Sequence, residues 1–222
     1  VLSANQLLDL SHDEMLEMAR SGAKVLNEEA VEFARRSKIA LYAKKAHDSD
    51  GDGTIIRPDG YYERAERAEE GRPAVAVSHL DEGIWLTARA SGDQVMEAID
   101  QTDCVICDWS PGEECGLFLD TANIHDAAGL IEELHRLGED VCVAYEGLVS
   151  VVGQGVGHGA RWPIEARDAR VGAGIEPVHL SVNSARLSWV VDPDHVAEAA
   201  RVLHAVFVPD ASESVDEPQH EL

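Results

Sequence analysis

The sequence predicts an α+β fold: two ferredoxin-like β-α-β-β-α-β modules preceded by a short α-α-β segment. Three observations predict it. Residues 74–208 can be read as the order β-α-β-β-α-β passed through twice, an internal repeat of one supersecondary unit. The chain before them shows helical spacing of apolar residues and only one short strand. An Asp- and Gly-rich stretch, HDSDGDGTIIRPDG (His47–Gly60), separates the two regions and reads as a loop.

The elements follow in order. Leu7, Leu8 and Leu10 open a helical region, Ser11 is placed as an N-cap, and Glu14 three residues on completes a capping box. Met15, Leu16, Met18 and Ala19 then recur at helical spacing, and Gly22 closes the helix. A second helix spans Glu28–Ser37 with Ala30, Val31, Phe33 and Ala34 inward, and a strand spans Ile39–Ala43. This piece is too small to bury its own apolar face and reads as the end of an α/β domain. The charged run Tyr61–Glu70 forms one helix, ended by Gly71 and Pro73, inside a linker over Arg57–Pro73. Strands Ala74–Ser78 and Ile84–Arg89, helix Asp93–Ile99, strands Cys104–Trp109 and Cys115–Asp120, helix Asp126–Leu137 and strand Val141–Glu146 make the first pass. Strand Leu148–Val152, a weak helix Pro163–Val171, a hairpin of Val178–Asn183 and Arg186–Val191, and a helix from Asp192-Pro193 to Ala205 make the second. The tail 209–222 carries five acids, no Lys or Arg and two prolines, a composition that does not fold.

Composition narrows the function. Hydrophobic residues make up 45% of the 222 and charged residues 27%, enough for packed cores and against global disorder. The 42 acidic residues against 18 basic ones leave a formal charge of −24, a field that repels phosphate. Nucleic acid and anionic membrane surfaces are therefore excluded as expected partners. No apolar run reaches the roughly 18 residues of a membrane span, and the N-terminus lacks a signal layout, so a cytoplasmic location is expected. Four cysteines do not make a disulfide scaffold.

Two stretches carry a family resemblance. LSHDEMLEMARSGAKVLNEEAVEFARRSKIAL followed by GTIIR resembles the last helices and strand of the aspartate kinase catalytic domain, with its S-Y-D-E-M-L-E-L-A-x-x-G-A-K-V-L-H-P-R-A-V-E pattern and G-T-L-I. LVSVVGQGV and then SVNSARLSWVVDPDHVAEAARVLHAVF are similar to that family's second ACT module. The resemblance covers residues 3–56 and 74–208. It implies a remnant of an amino-acid-kinase domain over 1–56, a linker over 57–73, a first ACT-like module over 83–146, and a second over 74–78 plus 147–208.

Departures from the family pattern matter as much. Asn27, Glu28 and Glu29 stand where His, Pro and Arg would. The D-x-P-G loop of the first module is reduced to Arg89-Ala90-Ser91-Gly92, and Cys104 and Ile106 stand near the N-x-D strand. The lysine-bearing phosphate loop has no counterpart, nor does any G-x-x-x-x-G-K-[ST], so the chain is expected to be no enzyme by itself and to need no cofactor. The resemblance implies an effector site where the turn Gln154, Gly155 and Val156 faces Ser181, Asn183 and Ser184. Ser91 and Gly92 belong to it from the first module of a partner chain, so binding and dimerisation are expected to be coupled. Backbone amides there can hold a carboxylate, and Asn183 and Ser184 an ammonium group. The implied partners are a free amino acid of the lysine or threonine type, a catalytic aspartate kinase chain, and a second copy of this chain. Two readings stay open: a regulatory region or subunit serving feedback control of aspartate-family biosynthesis, and a free-standing degenerate ACT protein acting as a dimerising scaffold.

Two further motifs compete with blander readings. Asp48, Asp50, Asp52 and Asp59 fit positions 1, 3, 5 and 12 of a calcium loop, with Gly53 at 6. Against calcium, position 12 is Asp rather than Glu, Pro58 intrudes, and the residues before it read as a strand, so a surface turn is the alternative. Cys104-Val-Ile-Cys107 invites a redox or zinc reading, but strand residues three apart face opposite sides, which favours packing for all four cysteines.

Overall fold

The structure, a computed structural model, describes residues 6–45, 53–58, 74, 76–89, 91–102, 104–122 and 124–208. Asp48, Asp50, Asp52 and Asp59, the charged run Tyr61–Glu70 and the tail 209–222 lie outside them. Among the described residues no cluster of His, Cys, Asp and Glu could hold a metal ion, and no helix is long and apolar enough to cross a membrane.

The N-terminal segment contains β1 (Asp9–Ser11), α1 (His12–Arg20), α2 (Glu28–Ser37), β2 (Leu41–Ala43) and β3 (Thr54–Arg57). The capping box forms: Ser11 Oγ accepts from Glu14 N at 3.1 Å and Glu14 Oε2 accepts from Ser11 N at 2.9 Å. Asn27, one of the departures from the family pattern, caps α2 by accepting from Ala30 N at 3.1 Å. The expectation of a helix from Leu7 and of a loop through Thr54–Arg57 is corrected. Leu10 and Ile56 pair in a parallel β1–β3 ladder, Leu41 joins β3 from the other side, and Leu10 and Ile56 are buried. Ile56 needs these two neighbours from both sides, and each is far away in sequence. On α2 only Val31 and Ala34 are buried; Phe33 is 67% exposed, against its expected inward position.

The rest of the described chain builds one antiparallel six-stranded sheet in the order β5-β6-β4-β7-β9-β8. Its strands are β4 (Ala76–Ala88), β5 (Val105–Ser110), β6 (Cys115–Asp120), β7 (Cys142–Val152), β8 (His179–Val182) and β9 (Arg186–Val191). Helices α3 (Gly92–Asp100), α4 (Ala127–Leu137), α5 (Arg161–Gly172) and α6 (Val196–Phe207) connect them. The α+β class is as expected, but two of the expected breaks do not exist. Ala74–Ser78 and Ile84–Arg89 fuse into the 13-residue β4, and Val141–Glu146 and Leu148–Val152 into the 11-residue β7. The pair runs together from Ala76↔Val152 to Thr87↔Cys142, with a register shift only between Leu80 and Gly83. Asp81-Glu82-Gly83 reads as a turn but is a bulge, which adds twist without ending the pairing. Gly83 is required there, because a Cβ would stand 2.5 Å from the Phe118 ring and 2.6 Å from Leu119 O. Gly147, opposite the bulge, passes α6 so closely that a Cβ would lie 2.0 Å from Val196 Cγ2.

Both faces of the sheet are covered. Ile84, Leu86, Leu117 and Leu119 pack under Val95 and Ile99 of α3 and Leu130 and Leu134 of α4. Val149, Val151, Leu187 and Trp189 pack under Ala166 of α5 and Ala199 and Leu203 of α6. The alternate residues Trp85, Phe118, Leu148 and Val190 meet each other, with Leu80 and Cys107, in a third cluster that joins the two halves. The sheet therefore curls so that its two end strands approach. A polar contact closes the gap: Ser181 Oγ on β8 donates to Asp108 Oδ1 on β5 at 2.8 Å.

Candidate functional site

Where the two sheet ends meet the N-terminal segment there is a groove of about 500 Å³. Arg186 is at its base. As the first residue of β9 it shares an inner face with Ser188 and Val190, and its side chain is 8% exposed. Its Nη2 donates to Cys107 O at 2.9 Å and to Asp108 Oδ1 at 3.2 Å. Its Nε is 3.5 Å from Glu17 Oε2 on α1. Glu17 in turn is 3.8 Å from Arg20 Nη1, and Arg20 Nε donates to Glu28 Oε1 on α2 at 2.7 Å. One chain of charges thus runs from α2 through α1 to β9, β5 and β8.

Asp108 owes its place to a bulge in β5. Ile106 pairs with Leu119 and Asp108 with Phe118, so Cys107 is the extra residue and both Cys107 and Asp108 are buried. Asp108 Oδ2 has no hydrogen-bond partner, and neither have Arg186 Nε and Nη1. A buried carboxylate oxygen and a buried guanidinium edge left open are costly, because each has lost water without a full replacement. Val105, Ile106 and the half-exposed Trp109 supply an apolar wall beside them. The Cys107 thiol is pushed up to about 12, chiefly by burial, so it stays protonated and packs rather than reacts. All four cysteines are free.

The residues named from sequence divide between three places. Ser181, on β8, and Asn183, just past its end, line the groove. Gln154, Gly155 and Val156 do come to Asn183 and Ser184, but the space between them is filled. Gly155, at φ +90°, donates its N–H to Ser184 O at 2.8 Å, and Val156 is fully buried in the second-half core. A Cβ on Gly157 would stand 1.8 Å from Asn183 O, and Asn183 Oδ1 already accepts from Ala185 N. Ser91 and Gly92 are outside the groove lining, at the start of α3. There the Asp140 carboxylate accepts from Ser91 Oγ at 2.8 Å, Ser91 N at 3.1 Å and Arg89 N at 2.8 Å. These bonds, the Ser91 hydroxyl first, hold Asp140 at about 2. A carboxylate depressed in the folded state stabilises it above its unfolded pKa and loses that contribution as pH falls towards the folded value. We expect the stability difference between the wild type and Asp140→Asn, from urea midpoints, to be largest above about pH 4 and to shrink towards pH 2. A pH-independent difference would contradict it.

Sequence reasoning passed over Arg186, Asp108 and Glu17. Arg186 had a visible signal, a charge opening the otherwise apolar run RLSWVV. Asp108 had none, since its inward direction depends on the bulge.

Comparisons with known proteins place this geometry in a context. No family model matches the chain. It is 26% identical over 215 residues to the aspartokinase of Geobacillus stearothermophilus, a match covering 93% of this chain and 52% of that one. E. coli aspartokinase III, solved in complex with lysine and aspartate, has a TM-score of 0.70 at 20% identity, over 94% of this chain and 48% of that one. The regulatory subunit of aspartate kinase from Thermus flavus has a TM-score of 0.50 at 16% identity, covering 61% of this chain and 99% of that one. The structural likenesses establish the fold. The likeness to aspartokinases runs nearly the whole chain, consistent with the C-terminal region of such a protein, as the resemblance implied. The chain spans about half the length of the relatives matched along it. One expectation is thereby corrected: these relatives are named for an enzyme, and motifs missing from half of an enzyme's length do not assign the chain to a non-enzyme.

Proposed function

We propose that the chain is the regulatory region of an aspartate kinase-like enzyme, binding an amino-acid effector of the lysine or threonine type and biasing a catalytic part. Residues 1–56 then form the end of the catalytic domain, 57–73 a linker, 83–146 the first ACT-like module, and 74–78 with 147–208 the second. The observation that carries this reading is the chain of charges from α2 to β8, which ties the kinase-like segment to both halves of the sheet. An effector that favours one arrangement of that joint shifts a two-state equilibrium by its differential affinity for the two states. A homodimer in the cytoplasm belongs to the proposal.

A scaffold without an effector is the second reading. It is favoured by two filled places: the turn Gln154–Val156 closed onto Ser184, and the Ser91 loop occupied by Asp140. Thermal shift with the twenty amino acids separates the two. A ligand at 100 times its Kd adds about 2.7 kcal/mol to the folded state. For a chain of this size the melting temperature then rises by about 5–11 °C. A shift with lysine or threonine is the expected result, and no shift with any amino acid at millimolar concentration leaves the scaffold standing.

A further inference from the structure

We propose that the core of the second half binds a halide ion, chloride or bromide, between Arg170 of α5 and Trp189 of β9. The site is separate from the groove and does not rest on the regulatory reading. Arg170, in the last turn of α5, is 4% exposed, and Trp189 is 1% exposed. The guanidinium carbon is 5.8 Å from the indole centroid, so the two side chains share one contact. Arg170 Nε and Trp189 Nε1 are both buried donors without an acceptor. Two open donors, one of them cationic, ask for a negatively charged acceptor. Arg170 is also tied in place. Its Nη1 donates to Ile175 O and its own carbonyl accepts from Ile175 N, each at 3.0 Å, so the side chain is held in the core rather than extended into water.

Among the described residues no carboxylate pairs with Arg170. Those of its own helix, Glu165 and Asp168, pair with the exposed Arg161 and Arg167, and Glu176 beyond Ile175 is exposed. Burial accordingly pulls the Arg170 guanidinium below its usual value. The face of Trp189, the Ile175 carbonyl and the negative end of α5 each offset part of this, but none carries a full charge. A water molecule would serve both donors and leave the charge uncompensated, whereas a buried charge is stable when paired. The surroundings set the size. Val156, Ala166 and Ile175, in the same core as Trp189, are at most 1% exposed, and a core packed so closely has room for a single atom rather than an oxyanion. The end of α5 gives the way in, since a Cβ on Gly172 or Gly174 would meet nothing within 4 Å. The net charge of −24 opposes an anion at long range, where salt screens it; at contact the unpaired guanidinium decides.

The full chain is kept in sodium gluconate, whose anion is too large to enter, and chloride or bromide replaces gluconate at constant ionic strength. Melting temperature and tryptophan emission are read together. With chloride the melting temperature should rise along a saturating curve, by about 3–6 °C at ten times the midpoint concentration. Bromide should quench emission in two parts, a linear loss from the half-exposed Trp109 and a saturating loss from the buried Trp189. Arg170→Met should abolish both the chloride shift and the saturating loss, and leave the linear loss unchanged. Arg170→Lys, which keeps the charge without the Nε donor, should raise the chloride midpoint at least tenfold, and it carries the test if Arg170→Met does not fold. Trp189→Phe should remove the saturating loss while a chloride shift remains. A wild type that melts alike in gluconate and chloride shows that the two donors meet water alone, which overturns the proposal. A chloride shift that persists unchanged in the Arg170 variants is a general salt effect and overturns it too, as does bromide quenching that stays linear throughout.

Discussion

Phe118→Ala should cost about 3–5 kcal/mol, and lower the melting temperature by roughly 6–20 °C. Phe118 is fully buried on β6, and its ring lies over Gly83, between Trp85 and Cys107 of the first half and Leu80, Leu148 and Val190 of the second. The neighbours that line the resulting cavity belong to through-running strands, so they cannot collapse into it without breaking the register of β4 and β7. The loss is therefore expected to be felt by both halves at once, as a single transition. Far-UV circular dichroism and the emission of Trp189, in the second-half core, should shift together. A substitution that leaves the Trp189 transition in place while the first half melts early would show that the halves are independent units.

That expectation depends on the part of the fold that was hardest to read. The helices were legible because their signals are local: Ser11 and Glu14 form the box that their spacing foretold, and Leu130 and Leu134 face inward at the four-residue interval. The shorter strands β5, β6, β8 and β9 were legible for the same reason, since each is a short run between turn residues. The fusion of strands at Gly83 and Gly147 was not, because Asp81-Glu82-Gly83 and Glu146-Gly147 carry the composition of turns. Only the close approach of Phe118 and Val196 explains why glycines stand there. Phe33 shows the same limit from the other side. Its helical interval is that of an inward residue, yet the partner that would bury it is not among the described elements. In the groove, Ser181 and Asn183 were chosen from a resemblance and do line it, while the turn expected opposite them packs against Asn183 and Ser184 outside it. Asp108 is 73 residues from Ser181 and 78 from Arg186, and no local pattern announces a contact of that span.

Arg186→Met is the second large effect expected, a loss of about 3–5 kcal/mol, because it leaves the buried Asp108 carboxylate without its counter-charge. Glu17 is spared this, since Arg20 remains beside it and its side chain is 19% exposed. The substitution keeps an unbranched stem of similar length, so little of the loss comes from packing. Removing both charges separates the causes. In Arg186→Met combined with Asp108→Leu no unpaired ion is left inside, and the double variant should recover a large part of what the single one lost. A coupling of about 1–3 kcal/mol between the two positions is expected from the cycle of urea midpoints, since the groups are in direct contact. Ser181 loses its acceptor in the double variant, which sets the part not recovered. If Arg186→Met costs under about 1 kcal/mol, the guanidinium is solvated rather than buried, because a pair exposed to water contributes only that much. The joint between the kinase-like segment and the sheet would then rest on the apolar contacts of Val152 with Leu10 and Met15 instead.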